Sequence, residues 1–197
     1  MWAGRTVAIL ASGPSMTPAV AETVRAAGIP AVVVNTTHRL APWADLLYAA
    51  DEAWWQHADN RDALRFAGLK VSVGVVPGVL RLRNGGNVGF DPDPQSLRTG
   101  GNSGYQALHI AVHAGAARVL LCGYDLKGCH WHGPHPAPLR KTEPDVYARW
   151  RERYATLLPA LAERGVDVVN VTPGSALSCF RRAVLEDELA SCDQLAA

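Results

Sequence analysis

Two short segments of the chain combine glycine with small polar residues directly before a helix pattern. They are ASGPS at positions 11–15 and RTGGNSGY at positions 98–105. Glycine lets a backbone approach a ligand closely, while hydroxyls, amides and the free N–H groups of a helix N-terminus attract anions. Neither segment is a Gly-x-Gly-x-x-Gly fingerprint or a Walker loop. The combination favours a nucleotide phosphate site over the simpler alternative, a pair of tight turns with ordinary helix caps.

Polar residues also follow the predicted strands. Asn35 ends the second strand pattern, Asp51 follows the third, and Gly123 and Asp125 end a later one. In an open parallel sheet such positions converge on one crevice, where ligands bind. Asp125 could hold a ribose hydroxyl or a metal ion, or it could cap the next loop. The residues predicted to bind the nucleotide are Ser12, Gly13, Pro14, Ser15, Asn35, Asp51, Gly101, Asn102, Ser103, Gly104, Gly123 and Asp125.

A histidine-rich segment at 129–135 supplies candidates for a general base. His130, His132 and His135 could each accept a proton near neutral pH, and Arg98 could stabilise a departing phosphate. With Cys129 they could instead ligate zinc or copper, but the spacing matches no standard site. We therefore predict the three histidines and Arg98 as catalytic candidates and assign no metal ligands. A loop with neither role remains the alternative.

Short apolar runs alternate with amphipathic segments along the chain. The runs at 6–10, 31–35, 46–50, 70–76, 118–122 and 166–171 are typical of buried parallel strands. Helices are predicted after Thr17, from about Ser103 to Ala114, and from Pro144 to Arg164 with a possible kink at Pro159. This order predicts a three-layer, Rossmann-like α/β fold, with a mostly parallel sheet and helices on both faces.

We predict one nucleotide-binding α/β domain over 1–197, with loop insertions at about 77–98 and 128–142. Loops of that length are usually functional lids or disordered segments. Two histidines of the second predicted helix, His109 and His113, share one helical face, and we expect them on a polar surface.

The composition excludes several classes of protein. Hydrophobic residues make up 48% of the 197 residues, so the chain can bury a core, and the net charge of +1 argues against a general nucleic-acid binder. No apolar run approaches the roughly 20 residues that span a bilayer. Four cysteines without a metal-type pair and an N-terminus without a signal-peptide layout predict a cytoplasmic protein with no membrane partner.

The Gly13-Pro14-Ser15 turn resembles a motif of two related families. These are the small bacterial CMP-sialic acid-dependent sialyltransferases and the 6-hydroxymethylpterin pyrophosphokinase-like proteins. As in both families, an Asn ends the second strand, and a Ser-Gly helix start leads to a Gly-x-Asp strand end, here 103–104 and 123–125. The likeness covers most of 5–125 and, more weakly, 166–177. The chain also resembles short prophage-encoded proteins.

The resemblance implies a nucleotide crevice built from the motif residues, with Asp51 near a further polar contact. It implies a transferase with a nucleotide-sugar donor and a histidine base. One alternative is a pyrophosphokinase or nucleotidyltransferase that uses ATP and magnesium, held by Asp51 and Asp125. Another is a non-catalytic nucleotide-binding or partner-binding phage protein, with Trp54, Trp55 and Trp131 as an exposed contact surface. The expected partner is a small-molecule nucleotide. No other cofactor is predicted. The sequence leaves open whether the protein forms a homo-oligomer.

Overall fold

The computed structural model describes residues 1–134, 136–139 and 144–193, with side chains for all of these except 144 and 191–193. The strands are β1 (Thr6–Leu10), β2 (Ala31–Val34), β3 (Leu46–Tyr48), β4 (Leu69–Ser72), β5 (Leu80–Arg81), β6 (Arg83–Asn84), β7 (Ser96–Leu97), β8 (Arg118–Cys122), β9 (Asp167–Asn170) and β10 (Arg181–Arg182). The α-helices are α1 (Pro18–Ala26), α2 (Glu52–Gln56), α3 (Ser103–His113), α4 (Pro144–Ala155), α5 (Leu158–Glu163) and α6 (Leu185–Asp193). Two 3₁₀ helices span Asn35–Arg39 and Ala58–Arg65.

Eight strands form one sheet in the order β10-β9-β8-β1-β2-β3-β4-β5, and all of its pairs are parallel. β1 lies between β2 and β8, so chain connections run in opposite directions from this point. Such a switch point opens a crevice at the carboxyl ends of the strands. β6 and β7 form a separate two-stranded parallel sheet.

Side chains of each central strand alternate between two buried clusters. Val7 and Ile9 of β1 pack in the cluster that contains α3, α4 and α5, whereas Ala8 and Leu10 pack in the cluster with α1, α2 and α6. A strand buried on both faces is apolar at successive positions, as Val7–Leu10 of β1 are. The protein is therefore a three-layer, Rossmann-like α/β fold, as the sequence predicted.

The prediction of a single third helix over 144–164 was wrong. The segment 144–164 forms two helices, α4 and α5, which meet at Thr156 and Leu157, and Pro159 lies in the first turn of α5. Proline has no N–H to donate to the preceding turn, so it suits the start of a helix better than its interior. The segment 77–98 contains β5, β6 and β7 and is not a plain loop.

The expected polar surface at His109 and His113 is also wrong. His109 is fully buried, with its ring stacked on Phe90 at a centroid distance of 4.7 Å, and the His113 ring lies 4.7 Å from the same phenyl group. Phe90 belongs to the segment 77–98, so this face of α3 anchors the insertion. Within the described part of the chain, no helix is long and apolar enough to cross a membrane.

Candidate functional site

A cavity of about 670 Å³ lies at the carboxyl ends of the central strands. Its walls come from the loops after β1, β2, β3 and β8, the start of α3, and one face of α4. Ten of the residues predicted from sequence line it: Ser12, Gly13, Asn35, Asp51, Gly101, Asn102, Ser103, Gly104, Gly123 and His130. Pro14, Ser15, Arg98, Asp125 and His132 are not among the lining residues, and His135 lies outside the described residues.

The turn after β1 is joined to the loop after β8. Asp125 accepts hydrogen bonds from the Ser15 hydroxyl at 2.8 Å and from the Ser15 N–H at 3.3 Å. The Gly13 N–H donates to the Gly123 carbonyl at 3.0 Å. These groups satisfy one another, and Asp125 is 4% exposed. Asp125 and Ser15 therefore do not line the cavity, but their contact holds together the two loops that do.

Ser12 forms part of the wall between β1 and β2. Its buried hydroxyl lies 3.1 Å from the Val34 carbonyl and 2.9 Å from the Thr37 hydroxyl. The Trp131 indole N–H donates to the same Thr37 oxygen at 3.2 Å, and the Trp131 N–H donates to the Ser12 carbonyl. The loop after β8 is therefore fixed to the ends of β1 and β2.

Asn35 and Asp51 supply free polar groups after β2 and β3. Neither the Asn35 amide nor the Asp51 carboxylate has a hydrogen-bond partner among the described residues, and both residues line the cavity. Asn35 has a left-handed backbone, with φ of 52°. An amide and a carboxylate together can bond the hydroxyls of a ribose or the polar edge of a base.

Trp54 and Trp55, considered above as an exposed surface, are 3% and 1% exposed. The Trp55 indole N–H donates to the Ala49 carbonyl at 3.0 Å, and the ring packs in the buried cluster with α1 and α6. Trp54 lines the cavity, and its buried Nε1 has no hydrogen-bond partner in the described part of the chain. A buried donor without an acceptor costs about 1–3 kcal/mol, which a bound acceptor would remove.

The start of α3 faces the cavity with unpaired donors. The Asn102 side-chain oxygen caps the helix by accepting from the Tyr105 N–H at 3.1 Å, and it also accepts from the Tyr154 hydroxyl at 2.8 Å. Its amide nitrogen remains for a ligand. Ser103 and Gly104 are the first residues of α3, so their N–H groups have no intrahelical acceptor. This end of the cavity suits an anion.

The face of α4 that lines the cavity was missed from the sequence. It carries Arg149, Trp150 and Arg153, and Lys127 lies nearby in the loop after β8. The Arg153 guanidinium donates to the Gly100 carbonyl at 2.8 Å, directly before the α3 N-terminus. The available signal was the i, i+4 spacing of the two arginines, which puts them on one helical face.

Tyr147 and Arg151 fix α4 to the loop after β8. The Tyr147 hydroxyl donates to the Gly128 carbonyl at 2.7 Å, and Arg151 donates to the Leu126 carbonyl at 3.0 Å. Among the described lining residues, the cations Lys127, Arg149 and Arg153 face a single carboxylate. Arg149 is paired with Asp145 at 3.1 Å, so the positive excess of the lining comes from Lys127 and Arg153.

His130 is the predicted base that reaches the cavity. Burial lowers the pKa of His130 below its usual 6.5, and a hydrogen bond to the Ser12 backbone opposes this change. The His132 ring stacks on the His130 ring at 5.2 Å but does not line the cavity. Arg98 donates to the Val88 carbonyl at 3.1 Å within the segment 77–98.

Magnesium held jointly by Asp51 and Asp125 does not fit these residues. Asp51 lines the cavity, but Asp125 is turned to Ser15 behind it. Over the described ranges, no group of three or more His, Cys, Asp or Glu side chains could hold a metal ion. No family model, curated protein or solved structure matches this chain.

Proposed function

We propose that this protein is a nucleotide-dependent transferase whose cavity binds a nucleoside phosphate donor. The observation that carries the proposal is the convergence, in one cavity at the switch point of the sheet, of a helix start with cationic and neutral polar groups. A volume of about 670 Å³ is within the range of about 300–1,000 Å³ typical of small-ligand sites. It has room for a nucleotide together with the group to be transferred.

The phosphates would bind at the start of α3. There the N–H groups of Ser103 and Gly104, the Ser103 hydroxyl and the Arg153 guanidinium supply donors at the positive end of the helix dipole. The nucleoside would lie toward Asn35 and Asp51, whose polar groups complement hydroxyls and a base edge. This arrangement uses one dipole and few cations, in keeping with the nearly neutral chain.

His130 would act as the general base. Its lowered pKa keeps the imidazole neutral near pH 7, which is the form that accepts a proton from an acceptor hydroxyl. As the acceptor oxygen bonds to the anomeric carbon of the donor sugar, the bond from that carbon to the phosphate oxygen breaks, and the leaving phosphate gains charge. The α3 N-terminus and Arg153 would stabilise that charge. We therefore favour a sugar donor as the hypothesis, since no step of this scheme requires a metal.

Thermal unfolding with CMP, UDP, GDP and ATP, each with magnesium and with EDTA, tests the proposal. A nucleotide at 100 times its dissociation constant should stabilise the protein by about 2.7 kcal/mol. Stabilisation that survives EDTA favours a nucleotide-sugar donor, whereas stabilisation that EDTA abolishes favours diphosphate or nucleotidyl transfer. If none of the four changes the melting temperature, the proposed nucleotide site is wrong.

A further inference from the structure

His38 is buried beside the cavity but does not line it. It lies in the 3₁₀ helix Asn35–Arg39 that follows β2, and it is 5% exposed. Its Nδ1 lies 2.9 Å from the Asn35 carbonyl oxygen, and its Nε2 lies 3.1 Å from Asp62 Oδ2. The imidazole thus connects a cavity residue to a carboxylate on the second 3₁₀ helix.

Both neighbours of the ring are hydrogen-bond acceptors. A carbonyl oxygen can only accept, and an ionised carboxylate can only accept. A hydrogen bond from Arg39, together with His38, lowers the pKa of Asp62 to about 2, so this carboxylate is ionised near neutral pH. Because the Asn35 carbonyl oxygen can only accept, the bond to Asn35 requires a proton on Nδ1.

The bond to Asn35 acts on a residue with an uncommon backbone conformation. Asn35 has a left-handed φ of 52°, which asparagine adopts more readily than other residues with a side chain, and neighbouring contacts help to select it. His38 holds the carbonyl of this residue from within the same turn. The backbone at Asn35 sets where its side chain leaves the wall of the cavity, and the amide of this side chain has no hydrogen-bond partner in the described structure.

The charged groups that face His38 come from two elements. Asp62 is on the 3₁₀ helix Ala58–Arg65, and Arg39 is on the same turn as His38 and donates to Asp62 Oδ2 from its Nε at 2.9 Å. Arg39 also donates to the Asp59 carbonyl. The edge of the Trp54 ring system packs against the imidazole at a centroid distance of 6.0 Å. The Asn35 carbonyl, Asp62 and Trp54 therefore fix the orientation of the imidazole.

We propose that His38 is a positioning residue, which uses an Nδ1–H donor to the Asn35 carbonyl to hold Asn35 in its left-handed conformation at the wall of the cavity. This inference rests on the proposed function only in taking a nucleotide as the ligand of Asn35. The hold on Asn35 itself is a property of the ligand-free protein.

Two substitutions separate the two bonds of the ring. In His38→Asn, the side-chain amide nitrogen falls near the place of Nδ1, so the donor to Asn35 is kept and the link to Asp62 is lost. In His38→Gln, the amide nitrogen falls near the place of Nε2, so the link to Asp62 is kept and the donor to Asn35 is lost. We expect the dissociation constant of the nucleotide that binds best among CMP, UDP, GDP and ATP to change less than about twofold in His38→Asn. In His38→Gln it should rise about tenfold, since a lost hydrogen bond of about 1.4 kcal/mol corresponds to that factor.

Nuclear magnetic resonance of the ligand-free protein gives a readout that does not depend on activity. The wild type should show a slowly exchanging ring proton on His38 Nδ1, and the backbone carbonyl shift of Asn35 should persist in His38→Asn and change in His38→Gln. An Nδ1 without a proton, or equal Asn35 shifts in both variants, would overturn the proposal. If no nucleotide binds the wild type, the proposed function fails, and these spectra alone decide the role of His38.

Discussion

Ser15 and Asp125 are hydrogen-bonded through two atoms of Ser15 to a single carboxylate oxygen, although they are 110 residues apart in the chain. The backbone of Gly13 lies directly against this pair, and a Cβ at position 13 would overlap the Asp125 carboxylate and the Gly123 carbonyl. The loops after β1 and β8 can meet only because residue 13 has no side chain. This meeting forms the floor of the cavity.

Gly13→Ala should therefore destabilise the protein. Overpacking of this kind costs about 1–3 kcal/mol, and here the obstacles include a backbone carbonyl that cannot rotate away. Denaturant unfolding measures the change. Gly133→Ala serves as the control, because a Cβ there meets nothing within 4 Å and adds only the strain of its φ of 83°. Equal losses in the two variants would contradict the overlap argument.

His130→Gln should lower the transfer rate about 10²–10⁴-fold while nucleotide binding is retained, because the substitution removes the proposed base and keeps its polarity. In the wild type, burial lowers the pKa of His130, so the rate should fall only when the pH drops below about 6.5. A pH–rate profile measures this limb. His132→Gln discriminates between the two candidates: a larger loss there than in His130→Gln would move the base to His132.

Arg153→Gln should weaken nucleotide binding about tenfold and reduce its dependence on salt, since a charge near the proposed phosphate is lost. Titration calorimetry at two salt concentrations measures both effects. Arg151→Gln is the matched control. It lies on the same helix and also donates to a backbone carbonyl, but it does not line the cavity. Equal weakening in both variants would mean that α4 acts only through its fixed position.

Trp54→Phe should weaken nucleotide binding about threefold to tenfold, because its buried indole N–H has no partner in the described ligand-free structure. Both Trp54→Phe and Trp55→Phe lose the packing of a larger buried ring. Trp55→Phe also loses the bond to the Ala49 carbonyl, so its free energy of unfolding should fall by about 1 kcal/mol more than that of Trp54→Phe, with affinity unchanged. Calorimetric titration and denaturant unfolding of both variants give the comparison. Unchanged affinity in Trp54→Phe would exclude its N–H as a ligand contact.

The stacked pair Phe90 and His109 predicts a dependence of stability on pH. Burial lowers the pKa of His109 to about 4, below the value of about 6.5 in the unfolded chain. The unfolded state binds the proton more readily, so the free energy of unfolding should be constant above about pH 6.5 and decline as the pH falls toward 4. Burial lowers the pKa of His113 as well, which adds to the same decline.

His109→Phe should flatten this decline while it keeps an aromatic ring against Phe90. Unfolding free energies measured across pH 4 to 7 for both proteins give the difference, in which the contribution of the carboxylates cancels. A decline of unchanged slope in His109→Phe would show that other groups cause it.

The sequence predicted the fold well because its signals are local. A continuous apolar run such as Val7–Leu10 can be buried on both faces only in a covered sheet, and Thr17 and Asn102 are recognisable helix caps. The same reasoning found the residues that follow β1, β2, β3 and β8. These positions are set by where each strand ends.

The other wall of the cavity depends on tertiary contacts that no local pattern reveals. Whether the arginines of α4 face solvent or the cavity is decided by how Tyr147 and Tyr154 fix the helix to distant loops. The burial of His109 likewise depends on Phe90, which lies 19 positions earlier in an insertion. The contact between Asp125 and Ser15 could not be predicted for the same reason, since only the fold brings the Ser15 hydroxyl to this carboxylate.

The pairing of β1 with β8 also bears on how the protein is made. During synthesis β1 leaves the ribosome first and can pair with β2 at once, but its other edge has no partner until β8 emerges. At about 5–20 residues per second this takes several seconds, during which an apolar strand edge is exposed. A nascent chain therefore has neither a closed sheet nor the cavity beside β1 until β8 has been made.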